Sequence, residues 1–495
     1  MVWSRISVVN FDRDNVTVGP PIKSKNALDE HFNTRPQGSA NRHLYLVELQ
    51  QNFADGSIPN EGHVDTNLQE LIDIFGQQLQ VPELFFEDHL DDGLRFGYIS
   101  DVRDPVLPSS LNPRRQFHLE YPEPRTLDPT EVAFLRDDEA FVATCSLTGR
   151  DILCHEWKKG EVLLTTSRKC SFWSKLSDDS VTLGWDAVIL CDPSAVEGRV
   201  KGSTLILKPN KSFPFPEGFN VATSRRTSRT RPGQPRPGHA SIFDDLCFYY
   251  SNHSDKLGDV SDPMAASLFA KKIVTSHYAH ILGFVSHQTS SMRARGWSLK
   301  RANHQEVDES REVEKEWSQY RGGEFMESLA TNLDQLGIPL LHSSGDTGVV
   351  AHYGDWTSID VDLQYLYMTF DLRRRDYDRI TTSIAAFVGM KEAERSLNVA
   401  KLTTYFALVL TPLAWMASFF SMSPRYLPDG DLKWVYWLVS FATIAMSLAI
   451  YRLGNIIRLR DVRLDKLVND PRRNSSRRGS NASKDTSAWS LDDMP

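Results

Sequence analysis

Six small or hydroxyl-bearing residues, Thr403, Ala407, Thr411, Ala414, Ser418 and Ser421, recur at steps of 4, 4, 3, 4 and 3. At 3.6 residues per turn that spacing gathers them on one helix face. The larger side chains of the segment, such as Leu402, Phe406, Leu408, Leu413 and Phe419, lie mainly elsewhere. A stripe of this kind has two physical uses. It lets helices approach closely, or, repeated around a symmetry axis, it lines a narrow polar path. The spacing leaves both open. Other constellations are poorer in chemistry. Cys154-His155-Glu156 lies in a strand-like segment, where neighbours point to opposite faces, so it is not read as a metal set. His118, His155, His239 and His253 are scattered and read as surface or satisfied side chains. The chain has no Gly-rich phosphate loop, no G-x-S-x-G and no H-E-x-x-H, so an enzyme is not expected.

The stripe sits in an apolar run. Twenty-three residues between Lys401 and Arg425 carry no charge, and a further 18 lie uncharged between Lys433 and Arg452. At 1.5 Å per residue the shorter run reaches roughly 27 Å, close to the thickness of a thin hydrocarbon layer. Trp434, Tyr436, Trp437 and Tyr451 stand at the run ends, where amphipathic rings favour headgroups. Two transmembrane helices, 402–420 and 434–451, are therefore expected, with Pro412 kinking the first. Seven Lys or Arg lie in 373–401 and five in 452–466, against Arg425 and Lys433 alone in the connecting loop. The basic excess places both termini in the cytoplasm. The plasma membrane is the expected location and an organelle membrane the alternative.

The rest of the chain must hold this hairpin. Residues 1–240 read as a mixed α/β domain, with helices near 67–75 and 81–90 and six short strands between 95 and 210. The segment 223–238, with five arginines, three prolines and no acid, reads as a flexible basic loop. Residues 241–400 read as helical, ending in a stalk or coiled coil that begins near Asp360 and enters the membrane without a clear breaker. The tail, 452–495, is basic, Ser-rich and disordered in this reading, with Ser475 and Ser480 each following two arginines and a spacer, as a basophilic kinase requires, although a basic tail next to a membrane more simply binds anionic lipid. The fold class is thus an α+β soluble domain followed by long stalk helices and a C-terminal two-helix hairpin. With 56 Lys and Arg against 64 Asp and Glu, a net charge of −8 argues against a nucleic-acid partner. Five cysteines without a C-x-x-C pair read as buried small apolar residues rather than a disulfide frame. Met1 to Asp12 holds no apolar run of signal-peptide length.

The stretch Leu397–Ser423 resembles the first transmembrane helix of CorA-type magnesium transporters, especially the fungal CorA-like proteins. The likeness lies in Lys401-Leu402-Thr403 at the entry, Pro412-Leu413 in mid-membrane and Met422 at the outer end. The resemblance implies a homopentamer in a lipid bilayer that conducts Mg2+ or another divalent cation passively, with the first span lining the pore and a cytoplasmic funnel that senses the ion. No covalent cofactor is implied, and the regulatory metal ligands are unknown. The family's Gly-Met-Asn mouth is here Ser421-Met422-Ser423. A serine hydroxyl is shorter than an asparagine amide and Ser421 lacks glycine's backbone freedom, so selectivity is altered or transport is lost. The second case makes the chain a non-conducting membrane-anchored scaffold or metal sensor. Asp429 and Asp431 in the outer loop either concentrate cations or form a solvated turn around Gly430.

Overall fold

The structure, a computed structural model, describes residues 4–12, 15–35, 41–49, 66–90, 112–126, 142–145, 148, 150–158, 161–176, 184–194, 197–200, 203–206, 208–209, 241–301, 322–340, 356–421, 434–435, 437–449 and 451–452. Eleven strands form one sheet: β1 (Arg5–Phe11), β2 (Val16–Val18), β3 (Arg42–Glu48), β4 (Gln116–Thr126), β5 (Val142–Cys145), β6 (Asp151–Lys158), β7 (Glu161–Leu176), β8 (Trp185–Cys191), β9 (Glu197–Val200), β10 (Ser203–Ile206) and β11 (Lys208–Pro209). The order runs β10-β9-β5-β6-β7-β8-β3-β1-β2, with β4 on β7 and β11 on β4. β3 and β8 are parallel and the other pairs antiparallel. The described helices are α1 (Lys25–Thr34), α2 (Thr66–Leu79), α3 (Glu83–Leu90), α4 (Ile242–Asn252), α5 (Pro263–Ala266), α6 (Leu268–Arg301), α7 (Gly322–Gln335), α8 (Ile359–Phe420) and α9 (Trp437–Ala449).

Both faces of the sheet are covered, which is why its central strands read as continuous apolar runs rather than alternating ones. In β8, Ala187, Ile189 and Cys191 join the core under α4, α6, α7 and the start of α8, while Val188 and Leu190 join the core under α2 and α3. Trp185 and Trp173 are buried on these two sides, and Trp185 Nε1 donates to Val260 O at 3.0 Å. At roughly 1.5–3 kcal/mol for each large apolar side chain buried, the helices that clamp the sheet are as necessary as its ladders. Compact units run Met1–Ala386 and Phe387–Pro495, so the line drawn at 240/241 is not a boundary between separate bodies. The reason is the core itself: Ile242, Phe269, Leu333 and Leu366 pack in one cluster with Phe117 and Phe172.

The strands are not confined to 95–210. β1 and β3 lie in the first fifty residues and carry the middle of the sheet. β4 and β7 also run beyond their expected ends. β7 pairs with β4 along one edge, while its other edge is shared by β6 at its start and β8 at its end. β4 extends through Pro122 and Pro124. Proline is tolerated in a strand where no partner needs its N–H, which is the case on the outer edge of β4. On that edge Gln116 N donates to Asn112 O, His118 N to Gln335 Oε1 at 3.4 Å and Glu120 N to Asn332 Oδ1 at 2.8 Å. Pro122 and Pro124 occupy the next two places of the same parity, and Thr126 pairs with Lys208 of β11. The fully buried Asn332 also donates through Nδ2 to Glu120 O at 2.6 Å, standing in for a neighbouring strand.

Of the cysteines, Cys145, Cys170 and Cys191 are buried and Cys247 is half-buried, none in a disulfide. The loop 223–238 and the tail beyond 452 lie outside the described residues.

Asn332→Leu keeps the volume but leaves the half-buried Glu120 N–H without an acceptor, while Glu120 O keeps the Tyr278 hydroxyl at 2.8 Å. We expect a loss of about 1–3 kcal/mol, read as a lowered thermal midpoint, with α8 helicity unchanged.

Candidate functional site

α8 spans 62 residues, about 93 Å at 1.5 Å per residue. Asp360 and Asp362 in its first turn face the positive end of the helix dipole. Ile359, Leu363, Leu366 and Phe370, at steps of four, three and four, bury one face in the core of the first unit. The last third of α8 is uncharged from Leu402 onward and is long and apolar enough to cross a bilayer. The helix continues through Pro412. Proline cannot donate to Leu408 O, and in a hydrocarbon setting that carbonyl needs another partner.

All six residues of the stripe, Thr403, Ala407, Thr411, Ala414, Ser418 and Ser421, are exposed in the single chain. The opposite side is covered: Met416 is buried, and Leu408, Val409, Pro412 and Leu413 are half-buried. On α9, Ser440 is buried and Val439, Thr443, Ile444, Ser447 and Leu448 are half-buried. Tyr405 meets Tyr451 edge-on with ring centroids 5.2 Å apart. One side of the first apolar segment is therefore used within the chain, and the small side is left open. Thr403 Oγ1 donates to Val399 O at 3.0 Å and Ser421 Oγ to Ser418 O at 2.8 Å. These hydroxyls spend their protons on their own helix and present lone pairs outward. α9 covers 13 residues, about 20 Å. The connecting residues 422–433, with Met422, Ser423, Asp429 and Asp431, lie outside the described residues, as do Ser475 and Ser480.

The stripe is longer than the sequence reading made it. Gly389, Ala393, Ser396 and Ala400 precede Thr403 at steps of 4, 3, 4 and 3, and all four are exposed. A Cβ on Gly389 would meet nothing within 4 Å. Over 389–421 the mean step is close to 3.6, so ten small residues stay on one face without supercoiling. The signal was present in the spacing. Lys391, Glu392, Glu394, Arg395 and Lys401 dominate the same stretch by charge and mask it.

A second constellation lies in the sheet unit, among residues distant in sequence. Asp192 is buried, receives Arg150 Nε at 3.2 Å and the Lys169 backbone N–H at 2.6 Å, and lies 3.3 Å from His89 Nε2. His89 Nδ1 and His118 Nδ1 each lie 2.7 Å from Ser171 Oγ. Burial alone would raise the Asp192 carboxyl, but Arg150, His89 and Arg168 outweigh it and hold it well below the usual carboxylate range. On the opposite face of the sheet Glu123 is likewise held low against burial by Arg125 and Arg168. The Asp-His-Ser order looks nucleophilic, yet Ser171 is fully buried and its hydroxyl cannot reach a substrate. Sequence reading missed His89, Ser171 and Asp192 because only the fold brings them together. Of the scattered histidines, His118 belongs to this network and His253 packs on Phe248 and Tyr249. The side chains of Cys154, His155 and Glu156, and all of His239, lie outside the described residues.

A cavity of about 510 Å³ opens at the start of α8, lined by Leu257, Met264, Leu268, Lys271, Ile359 and Val361 among others. Burial lowers the Lys271 amine to about 8, and its Nζ lies 4.8 Å from the centre of the buried Phe117 ring. Among the described residues no three His, Cys, Asp or Glu side chains converge as a metal set.

No family model matches the chain, and no curated protein matches it. Among solved structures it is similar to the complete CorA magnesium transporter of Methanocaldococcus jannaschii, at 10% identity and a TM-score of 0.35, over 91% of this chain and 98% of that one. It is also similar to the full-length CmaX protein, at 10% identity and a TM-score of 0.36, over 91% and 97%. Superpositions this loose do not carry a function from one chain to another.

Burial holds the imidazoles of His118 at about 3 and of His277 and His43 at about 4. In the unfolded chain each takes a proton near pH 6.5. Their contribution to stability is therefore complete above about pH 6.5 and is lost as pH falls towards 4, by up to about 1.4 kcal/mol per pH unit for each. The thermal midpoint at pH 5 should lie below that at pH 7, and His43→Gln should flatten the difference.

Proposed function

We propose that this chain is the subunit of a homopentameric membrane channel that passes divalent metal cations, Mg2+ foremost, down their electrochemical gradient. The observation that supports this most is the open stripe on α8. Ten small residues run from Gly389 to Ser421 on one face, exposed in the single chain, and beside the last of them, over 408–416, the far side is covered. A lone helix in lipid gains nothing from exposing Thr403, Thr411, Ser418 and Ser421 together, whereas copies meeting around an axis turn that face into a water-filled path.

The chemistry fits a hydrated ion. Mg2+ gives up water reluctantly, so the path must bond to its hydration shell rather than replace it. Hydroxyl oxygens whose protons are bonded back to the helix accept from that water without supplying a fixed charge that would trap the ion. Ser421, Met422 and Ser423 form the mouth in this reading, and Asp429 and Asp431 raise the local cation concentration before entry. The second apolar helix supports the first from behind, with both termini in the cytoplasm and the plasma membrane as the location. Ser475 and Ser480 are kinase sites in this reading.

The Ser-Met-Ser mouth supports a second reading, a non-conducting scaffold or metal sensor that keeps the small stripe only for close helix packing. Flux of Mg2+ into proteoliposomes separates the two, with pentamers verified by native mass. Wild type is expected to conduct, Ser423→Asn to conduct at least as well, and Thr411→Leu, which narrows the path, to lose at least tenfold. Intact pentamers of wild type and Ser423→Asn that both fail to conduct would leave the scaffold reading.

A further inference from the structure

Arg168, Arg150 and Lys272 are buried cations of the sheet unit, held by Glu123, Asp192 and Asp362 in that order. Lys271, beside Lys272 in the first turn of α6, is placed differently. Among the described residues no hydrogen bond or ion pair reaches its Nζ. The amine lies instead against the face of Phe117, which is stacked on Phe172. The acids that act on it are the exposed Asp360 in the first turn of α8 and the exposed Asp262, which caps α5. Both favour the ammonium, yet burial outweighs them and the amine titrates at about 8. The start of α6 works in the same direction, because a helix N-terminus disfavours positive charge. Lys271 borders the cavity of about 510 Å³, whose apolar walls include Leu257, Met264, Leu268, Ile359 and Val361.

We propose that Lys271 is a nucleophilic amine that captures small, uncharged apolar aldehydes in this cavity as an imine. The nitrogen lone pair adds to the carbonyl carbon, both amine hydrogens leave with the carbonyl oxygen as water, and a C=N bond replaces C=O. No oxidant or reductant takes part. A lysine acts in this way where apolar surroundings and the lack of a paired acid keep part of it unprotonated. An ordinary lysine titrates near 10.4, so at neutral pH a group at about 8 holds on the order of a hundredfold more neutral amine. The walls select the partner. Their aliphatic side chains favour an apolar body, and Asp360, which also lines the cavity, repels an anionic electrophile. Lys272 marks the contrast one residue along: its Nζ is bonded to Asp362 Oδ2 at 2.5 Å and lies over Trp356, so its ammonium is held in place. The cavity belongs to the first compact unit, and the assignment does not rest on the channel reading.

Treatment of the full-length protein in nanodiscs with hexanal and cyanoborohydride, which traps the imine, tests this when tandem mass spectrometry locates the alkylated lysines. At neutral pH Lys271 should react at least tenfold faster than Lys272 and than the exposed Lys23, with a rate that saturates as hexanal rises. Glyoxylate, an anionic aldehyde, should show no such preference for Lys271. Ala265→Leu, which fills part of the cavity, should slow hexanal at Lys271 at least fivefold and leave formaldehyde, small enough to enter still, within twofold of wild type. If Ala265→Leu does not fold, the comparison of Lys271 with Lys23 and of hexanal with glyoxylate, both made on wild type, still decides. Equal hexanal rates at Lys271 and Lys23, an equal preference with glyoxylate, or a folded Ala265→Leu protein that takes hexanal as wild type does, overturns the proposal.

Discussion

Inside hydrocarbon a peptide group finds no water, so each N–H and C=O must be bonded within the segment itself. Under the proposed function that constraint falls on α8. Its first turns belong to the core of the sheet unit through Ile359, Leu363, Leu366 and Phe370, and its last third is uncharged. The helix is continuous between these stretches, without a loop whose groups would need solvent. In the membrane reading its side chains can change solvent along its length because the backbone does not ask for any. The local exceptions are the carbonyl that Pro412 leaves open and the hydroxyls that bond back to their own helix.

The sheet unit solves the opposite problem, a core that contains charge. Asp192 and Glu123 lie on opposite faces of the sheet, each held by arginines and surrounded by donors. Burying a charge is expensive unless its bonds are met, and here they are met largely by residues of neighbouring strands and of α3. The network therefore ties the register of β7 and β8 to the seating of α3. Removing one member costs more than that one contact, because the rest remain buried without it.

The elements with strong periodicity were readable in advance. The helices near 67–75 and 81–90, the start of the long helix near Asp360, and the apolar run after Lys401 could be seen from spacing and charge alone. β1 and β3 could not. Their runs are short, and only the parallel partnership of β3 with β8, some 140 residues away, makes them central. The prolines hid the true length of β4, because a strand edge that needs no N–H is a tertiary fact. The upstream half of the small stripe was masked by charged neighbours, although its spacing was regular. The cluster of His89, Ser171 and His118 had no signature, since Ser171 reads as an ordinary strand serine until His89 and His118 close on it from two other elements.

The guarded edge of β4 has a temporal side. Glu120 waits for an asparagine 212 positions further along the chain, which at about 5–20 residues per second leaves the ribosome about 10–40 s later. Throughout that interval the amides of His118 and Glu120 are open to any passing strand, while Pro122 and Pro124 offer none. Half of the exposed rim is thus harmless from the moment it is made, before the helix that will seal the remainder has been translated.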